Sequence, residues 1–433
     1  PGLPYSLTRT KAGKRDYIWY DDQNNNYHID QQILSDAQNY IEAACAGKPI
    51  PVPKTEFIKD ELVGFNKIKN PKTRTVATGN VVDLIVYRRM FGDMYRLIKY
   101  NADGSYHCAL GINPESEQWH GIVKYILEAG DKTNLNRIVE LDVVAWESII
   151  TVQLMRITAE AKVQALEEIY AARGEKLPEW VRKTAHVLAV DYSDTDVVFE
   201  ETVLHKTQGM LSGHPGTLPE NSDAHKGIVF TIFTRHMISI GQRALATIPM
   251  FLKHLRMVVA ADDILVSFSE FISRYMQPED LLRGYADLNM EVTAADKSEV
   301  LKFQNISEVH FLKMGFRLED GIYKMYPKES IINQLLNWQR IGEGRIEQFQ
   351  TNVETAFRFA YFRGEEYYND LERKVNLALF RVGLPRFTYS YQDMGARIFK
   401  ETEIYTWKNQ HNMTNSKDRI CFSNECAQRH IIN

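Results

Sequence analysis

The stretch "VVAADDILV", residues 258–266, decides how this chain is read. Short apolar runs flank two acids, the pattern of a buried β-hairpin with Asp262 and Asp263 at or beside its turn. Adjacent carboxylates repel each other and lose hydration when partly buried, so something must compensate them. A third acid from another strand would complete the usual means of holding two divalent metal ions ~4 Å apart for in-line phosphoryl chemistry.

Two upstream stretches compete to supply that third acid, "DVVAWE" (142–147) and "DYSDTD" (191–196). Asp191 lies 21 residues before Ser212, and "VVFEETVLHKTQ" between them contains no credible helix. A strand lying parallel to its neighbour needs a crossover, usually a helix, before the chain returns. Asp142 closes the short apolar strand "RIVELD" (137–142), is followed by a long helical pattern, and lies 70 residues before Ser212. Asp142 is the expected partner.

The rest of the chain frames this reading. With 433 residues, two or three structural units are expected. A hydrophobic content of 44% and a charged content of 25% describe an ordinary globular protein. No run approaches a membrane span, and no signal-peptide pattern opens the chain. Four cysteines in this length do not make a disulfide scaffold, and a reducing, cytoplasmic setting is the default. Cys421, Cys426 and His430, with His411 upstream, are spaced more loosely than zinc pairs and are not read as a zinc site. The abrupt start at "PGLPYS" reads as a fragment or a proteolytically released product.

Net charge is −4, yet cations cluster in "RTKAGKR" (9–15) and "KDELVGFNKIKNPKTR" (59–74). Such strips suit a phosphate channel, because counterion release rewards clustered cations. Periodicity predicts a helix over 30–47, N-capped by Asp30, and one long helix over 148–174. An extended region is expected over 187–204, a Gly/Pro-rich turn over 211–222, a helical stretch to about Leu252, and helices from Glu329 onward.

In this order the motifs resemble those of the RNA-dependent RNA polymerase of picorna-like positive-strand RNA viruses (Picornavirales). "SGHPGTLPEN" (212–221) fits the Ser-Gly-x3-Thr-x3-Asn pattern of motif B, and "AADD" (260–263) stands where the family has Tyr-Gly-Asp-Asp, motif C. "AADK" (294–297) resembles motif D, and "FLKM" (311–314) resembles the Phe-Leu-Lys-Arg of motif E. "KDEL…KTR" (59–74) matches motif F with the same internal length, and "PGLPY" (1–5) resembles the end of motif G. The set spans residues 1–316.

The resemblance implies an α+β right-hand polymerase: fingers, a palm with an antiparallel sheet, and a helical thumb. Fingers would occupy 1–136, palm 137–169 and 212–318, a fingers/palm insertion 170–211, and thumb 319–433. The implied activity is template-dependent nucleotidyl transfer from NTPs to an RNA 3′-hydroxyl by a two-metal mechanism, serving viral genome replication. Asp142 and Asp262 would ligate two Mg²⁺ ions, with Mn²⁺ as a substitute, and Asp263 would support the site or contribute to one ion. Lys297 would be the general acid for the pyrophosphate leaving group. Lys59, Lys72 and Arg74 would grip the triphosphate, with Lys67 and Lys69 facing RNA in the same strip.

Ser212 and Gly213 would form a flexible loop against the template, with Thr217 and Asn221 near the incoming ribose. Phe311, Leu312 and Lys313 would form the primer grip. Three departures from the family pattern stand out. Glu147 replaces the motif A Asp that helps sense the 2′-hydroxyl, and Val63 replaces an Arg of motif F. Ala260 and Ala261 replace Tyr and Gly, and Ala261 is tolerable only if its backbone does not require positive φ. The implied partners are template and primer RNA, ribonucleoside triphosphates, and a small viral protein primer. Peripheral association with replication membranes in the host cytoplasm is implied as well. The alternatives are a reverse transcriptase-like polymerase and a catalytically inactive RNA-binding scaffold.

Overall fold

The computed structural model describes residues 1–414 apart from 12, 24, 49, 61–68, 70–73, 101–106, 131–132, 295–299 and 339–343. Lys67, Lys72, Lys297, Val63, Cys421, Cys426 and His430 therefore lie outside the described residues. The chain divides into two compact units: Pro1–Leu97 with Val143–Ile228, and Ile98–Asp142 with Val229–Lys417. Helices and sheets are mixed in both, as an α+β chain requires.

The first unit carries a four-stranded sheet in the order Thr75–Thr78, Lys54–Ile58, Thr195–Phe199, Thr202–Lys206. Lys54–Ile58 runs antiparallel to Thr75–Thr78 and parallel to Thr195–Phe199. The expected N-terminal helix is Gln31–Cys45, capped by the Asp30 side chain, with Ile33, Ala37, Tyr40, Ile41 and Ala44 buried on one face. Two expectations are corrected here. Val187–Val190 is not extended but is the last turn of the helix Glu179–Val190, since Val181, Ala185, Leu188 and Ala189 continue one buried helical stripe. A short Val/Leu/Ala run fits either period, and tertiary burial decided it. The single helix expected over 148–174 is broken into Trp146–Ile149 and Val152–Ala172. Ile150 is extended, its carbonyl accepts from Gly209 N at 2.6 Å, and Thr151 caps the second helix.

The second unit is built on a four-stranded sheet in the order Val292–Ala294, Ile138–Val143, Asp263–Phe268, Leu255–Ala260. The last three strands pair antiparallel. Both hairpin strands are nearly continuous apolar runs because both faces are covered: Val258, Val259, Leu265, Val266 and Phe268 are fully buried. The hairpin Met314–Glu319/Ile322–Pro327 follows and packs on Glu117–Leu127, where Trp119 stacks on Phe316 at 4.9 Å. From Glu329 the described residues are mostly helical, as expected, but "VETAFRFAYFRGEEYYNDLERKV" is two helices, Arg345–Tyr361 and Glu365–Arg381, parted at Gly364 with φ +105°. Among the described residues no helix is long and apolar enough to cross a membrane.

Candidate active site

The acidic hairpin forms as the sequence predicts. Ala260 pairs with Asp263, which leaves a two-residue turn of Ala261 and Asp262. On its other side Asp263 pairs with Asp142 of the strand Ile138–Val143, so the two carboxylates leave the same face of the sheet. Directly opposed like charges destabilise a ladder unless compensated. Asp263 keeps contact with solvent, yet withdrawal from water and the neighbouring Asp262 push its carboxyl above the ordinary value, and Lys313 only partly offsets this. The choice of Asp142 over Asp191 is explained by placement. Asp191 belongs to the first unit, accepts a hydrogen bond from the Tyr40 hydroxyl, and is pushed up to about 6, chiefly by burial.

Ala261 overturns the condition placed on it. Its φ is +60°, the first central position of a tight hairpin turn, where glycine is favoured. The methyl group therefore costs about 1 kcal/mol of backbone strain beside the acids.

Among the described residues no group of three or more His, Cys, Asp or Glu side chains forms a ready-made metal cage. Divalent magnesium sites commonly use one or two carboxylates, with waters and substrate phosphates completing the shell. The opposed Asp142 and Asp263 beside Asp262 fit that donor set.

The turn at 311–314 sits in the same unit. Phe311 and Met314 bridge it, and Leu312 and Lys313 both take positive φ, +52° and +65°. Phe311 is buried against Trp119, so its side chain holds the turn instead of facing a ligand, and Lys313 is the exposed group.

In the first unit, "SGHPGTLPEN" is part loop and part helix. The turn ends at Gly216, and Thr217 opens a helix running to Ser239, so Thr217 and Asn221 lie on its first turns and not in the expected 211–222 loop. Ser212 Oγ accepts from Ala77 N at 3.0 Å. A Cβ on Gly213 would stand 2.3 Å from Gly79 N, so only glycine lets the loop press onto this backbone. The loop lies against the neighbouring backbone at both residues. Thr217 Oγ1 donates to the carbonyls of His214 at 2.6 Å and Ser212 at 3.1 Å. Asn221 is buried, and its Oδ1 has no hydrogen-bond partner among the described residues. Glu147 is exposed in the first turn of Trp146–Ile149, and Met210 N donates to its carbonyl at 2.8 Å. Lys59 and Arg74 close the mouth of the Lys54–Ile58/Thr75–Thr78 ladder, with Lys59 N donating to Arg74 O at 2.9 Å. Arg74 and Lys69 are exposed.

Sequence reasoning missed a set of buried charges around this loop. Lys162 is buried and bonded to Glu220 at 2.6 Å and Asp223 at 2.9 Å. Burial alone would pull its ammonium down; the two carboxylates outweigh that and hold it above the ordinary lysine value. Lys54 pairs with buried Asp83 at 2.6 Å. The available signal was a lysine on the buried stripe Met155, Ala159, Lys162, Val163, Leu166, where an unpartnered charge is too costly to persist.

Comparison with known proteins shows the family and the fold of the chain. A family described as viral RNA-dependent RNA polymerase matches residues 1–379. The genome polyprotein of Rice tungro spherical virus (strain A) is 24% identical over 417 residues, covering 92% of this chain and 11% of that protein. The genome polyprotein of human hepatitis A virus genotype IIIB is 27% identical, covering 88% and 16%. The replicase polyprotein of Drosophila C virus is 22% identical, covering 87% and 21%. This chain therefore spans only a minor part of the polyproteins it matches. A solved structure titled "Sicinivirus 3Dpol RNA dependent RNA polymerase" superposes with a TM-score of 0.71 at 19% identity, covering 92% of this chain and 76% of that one. The fold is that of a right-hand polymerase.

Proposed function

Because this chain belongs to the viral RNA-dependent RNA polymerase family, we propose that it catalyses RNA-templated nucleotidyl transfer from ribonucleoside triphosphates to an RNA 3′-hydroxyl. The observation that carries this reading is the pairing of Asp142 with Asp263 beside Asp262 at the turn of a buried hairpin. Asp142 and Asp262 would hold divalent ions, taken as Mg²⁺ with Mn²⁺ as a substitute, and Asp263 would support them. The bound ions would lower the pKa of the 3′-hydroxyl and neutralise charge on the triphosphate.

The chain's own residues supply the rest. Lys59, Lys72 and Arg74 would grip the triphosphate, Arg as a fork and Lys as a point charge. Lys297 would donate a proton to the leaving pyrophosphate. Asn221, whose buried Oδ1 has no partner among the described residues, and exposed Glu147 would read the ribose. Ser212, Gly213, Lys67 and Lys69 would face RNA, and Lys313 at its turn would steady the primer while Phe311 and Leu312 shape that turn. We assign 1–136 to fingers, 137–169 and 212–318 to palm, 170–211 to an insertion and 319–433 to thumb. Template and primer RNA, a small viral protein primer and peripheral contact with cytoplasmic replication membranes belong to the same proposal.

Primer extension on an RNA template, with ribo- and deoxyribonucleotides offered separately and Asp262→Asn as control, tests it. Ribonucleotide incorporation that the substitution abolishes is the expected result. Deoxynucleotide incorporation at a similar rate would point to a reverse-transcribing enzyme. RNA binding without extension under any divalent ion would leave an inactive scaffold.

A further inference from the structure

Within the first unit, the third residue of "SGHPGT" is a histidine with no room to move. His214 is buried, and its ring meets two tyrosines edge to face: Tyr192 at 4.7 Å and 82°, Tyr87 at 5.2 Å and 81°. Each tyrosine is fixed in turn by a buried ion pair. Tyr192 donates to Asp83 Oδ2 at 2.9 Å, and Asp83 is the partner of Lys54, whose ammonium lies 4.4 Å over the Tyr192 ring. Tyr87 donates to Glu220 Oε1 at 2.6 Å, and the other oxygen of Glu220 takes Lys162. These two arms grip one imidazole from opposite elements of the fold.

The ring also shapes its own loop. His214 Nδ1 accepts from Gly216 N at 3.0 Å, which requires that nitrogen to be unprotonated. A Cβ on Gly216 would lie 1.8 Å from the Tyr87 hydroxyl, so glycine is required for the loop to press onto Tyr87. The backbone carbonyl of His214 receives the Thr217 hydroxyl, and Ser212 is tied to Ala77 two residues earlier. Burial pushes the imidazole down to about 4, with the neighbouring charges of Glu220, Lys162, Asp83 and Lys54 largely cancelling, so the acceptor form persists at neutral pH.

We propose that His214 is a positioning residue for nucleotidyl transfer: clamped between Tyr87 and Tyr192, it fixes where Ser212 and Thr217 stand relative to the incoming nucleotide. The inference rests on the roles given above to Ser212 and Thr217. His214 touches no substrate; it acts through the loop.

Single-nucleotide extension kinetics on a primed RNA template test it, using the full chain, parent extension and Asp262→Asn inactivity as controls that carry the polymerase reading separately. His214→Leu fills the cavity without an acceptor, while His214→Asn places Oδ1 where Nδ1 stood. His214→Leu is expected to raise the nucleotide KM about tenfold and to lower discrimination against deoxyribonucleotides, since small misplacements of positioning groups are felt strongly. His214→Asn should restore both to within about twofold of the parent. If His214→Leu lowers kcat in step with a smaller active fraction, with KM and sugar discrimination unchanged, the residue is merely structural and the proposal fails. It fails equally if His214→Asn is no better than His214→Leu, or if neither substitution changes anything.

Discussion

The acidic hairpin and the loop that opens the helix Thr217–Ser239 solve the same electrostatic problem in opposite ways. Around the loop three acids are met by lysines: buried Asp83 by Lys54, and buried Glu220 and half-buried Asp223 by Lys162. At the hairpin Asp263 faces Asp142, stands beside Asp262, and is held above its ordinary carboxyl value with only a partial offset from Lys313. One region is balanced within the chain. The other leaves Asp263 with a raised carboxyl that a divalent cation would bring back down. A catalytic centre is expected to retain such an imbalance, because internal compensation would leave nothing for the ion to do.

Lys162→Met presses hardest on this contrast. Removing the cation strands buried Glu220 and leaves half-buried Asp223 without its partner, and should cost about 3–5 kcal/mol in equilibrium unfolding. A loss below about 1 kcal/mol would mean that the network is not balanced as described. Asp191→Asn comes next. The native carboxyl is pushed up to about 6, chiefly by burial, so between its ordinary value and 6 the native state holds a proton that the unfolded chain has released. That contribution is full below about pH 4 and is lost as pH rises through 6. The substitution should therefore stabilise by about 1–2 kcal/mol at pH 7.5 and by little at pH 4, read as the difference in urea midpoint at the two pH values. Equal effects at both pH values would remove the titration from the explanation. The smallest expected effect is at Ala261→Gly, which relieves a φ of +60° and should add about 0.5–1 kcal/mol. A loss of stability there would show that the turn is not strained.

The parts legible in the sequence are those governed by local pattern. Apolar runs around Asp262 announce the hairpin, and the choice of Asp142 holds although its crossover argument assumes a parallel neighbour and the strand pairs antiparallel with Asp263–Phe268. Asp30 and the stripe from Ile33 to Ala44 fixed a helix. Where period and composition were ambiguous, tertiary contacts decided: Val187–Val190 joined a helix because one of its faces was already buried, and Ile150 left one because Gly209 claimed its carbonyl. The loop supports were illegible for a different reason. Lys54, Asp83, Lys162 and Glu220 are far apart in sequence and read individually as surface charges; only folding shows that they meet. Whether Ala261 is tolerated depends on its backbone, and only the structure supplies the positive φ.

The most direct test of the central claim couples two readouts on one substitution, Asp142→Asn. Because Asp142 opposes Asp263, removing its charge should raise the metal-free melting temperature, while ribonucleotide extension with Mg²⁺ should fall by roughly 10³-fold or more. Activity lost with stability gained is the predicted outcome. Retained activity, or activity lost together with a lowered melting temperature, would show that the carboxylate is part of the framework and not of a centre that holds metal.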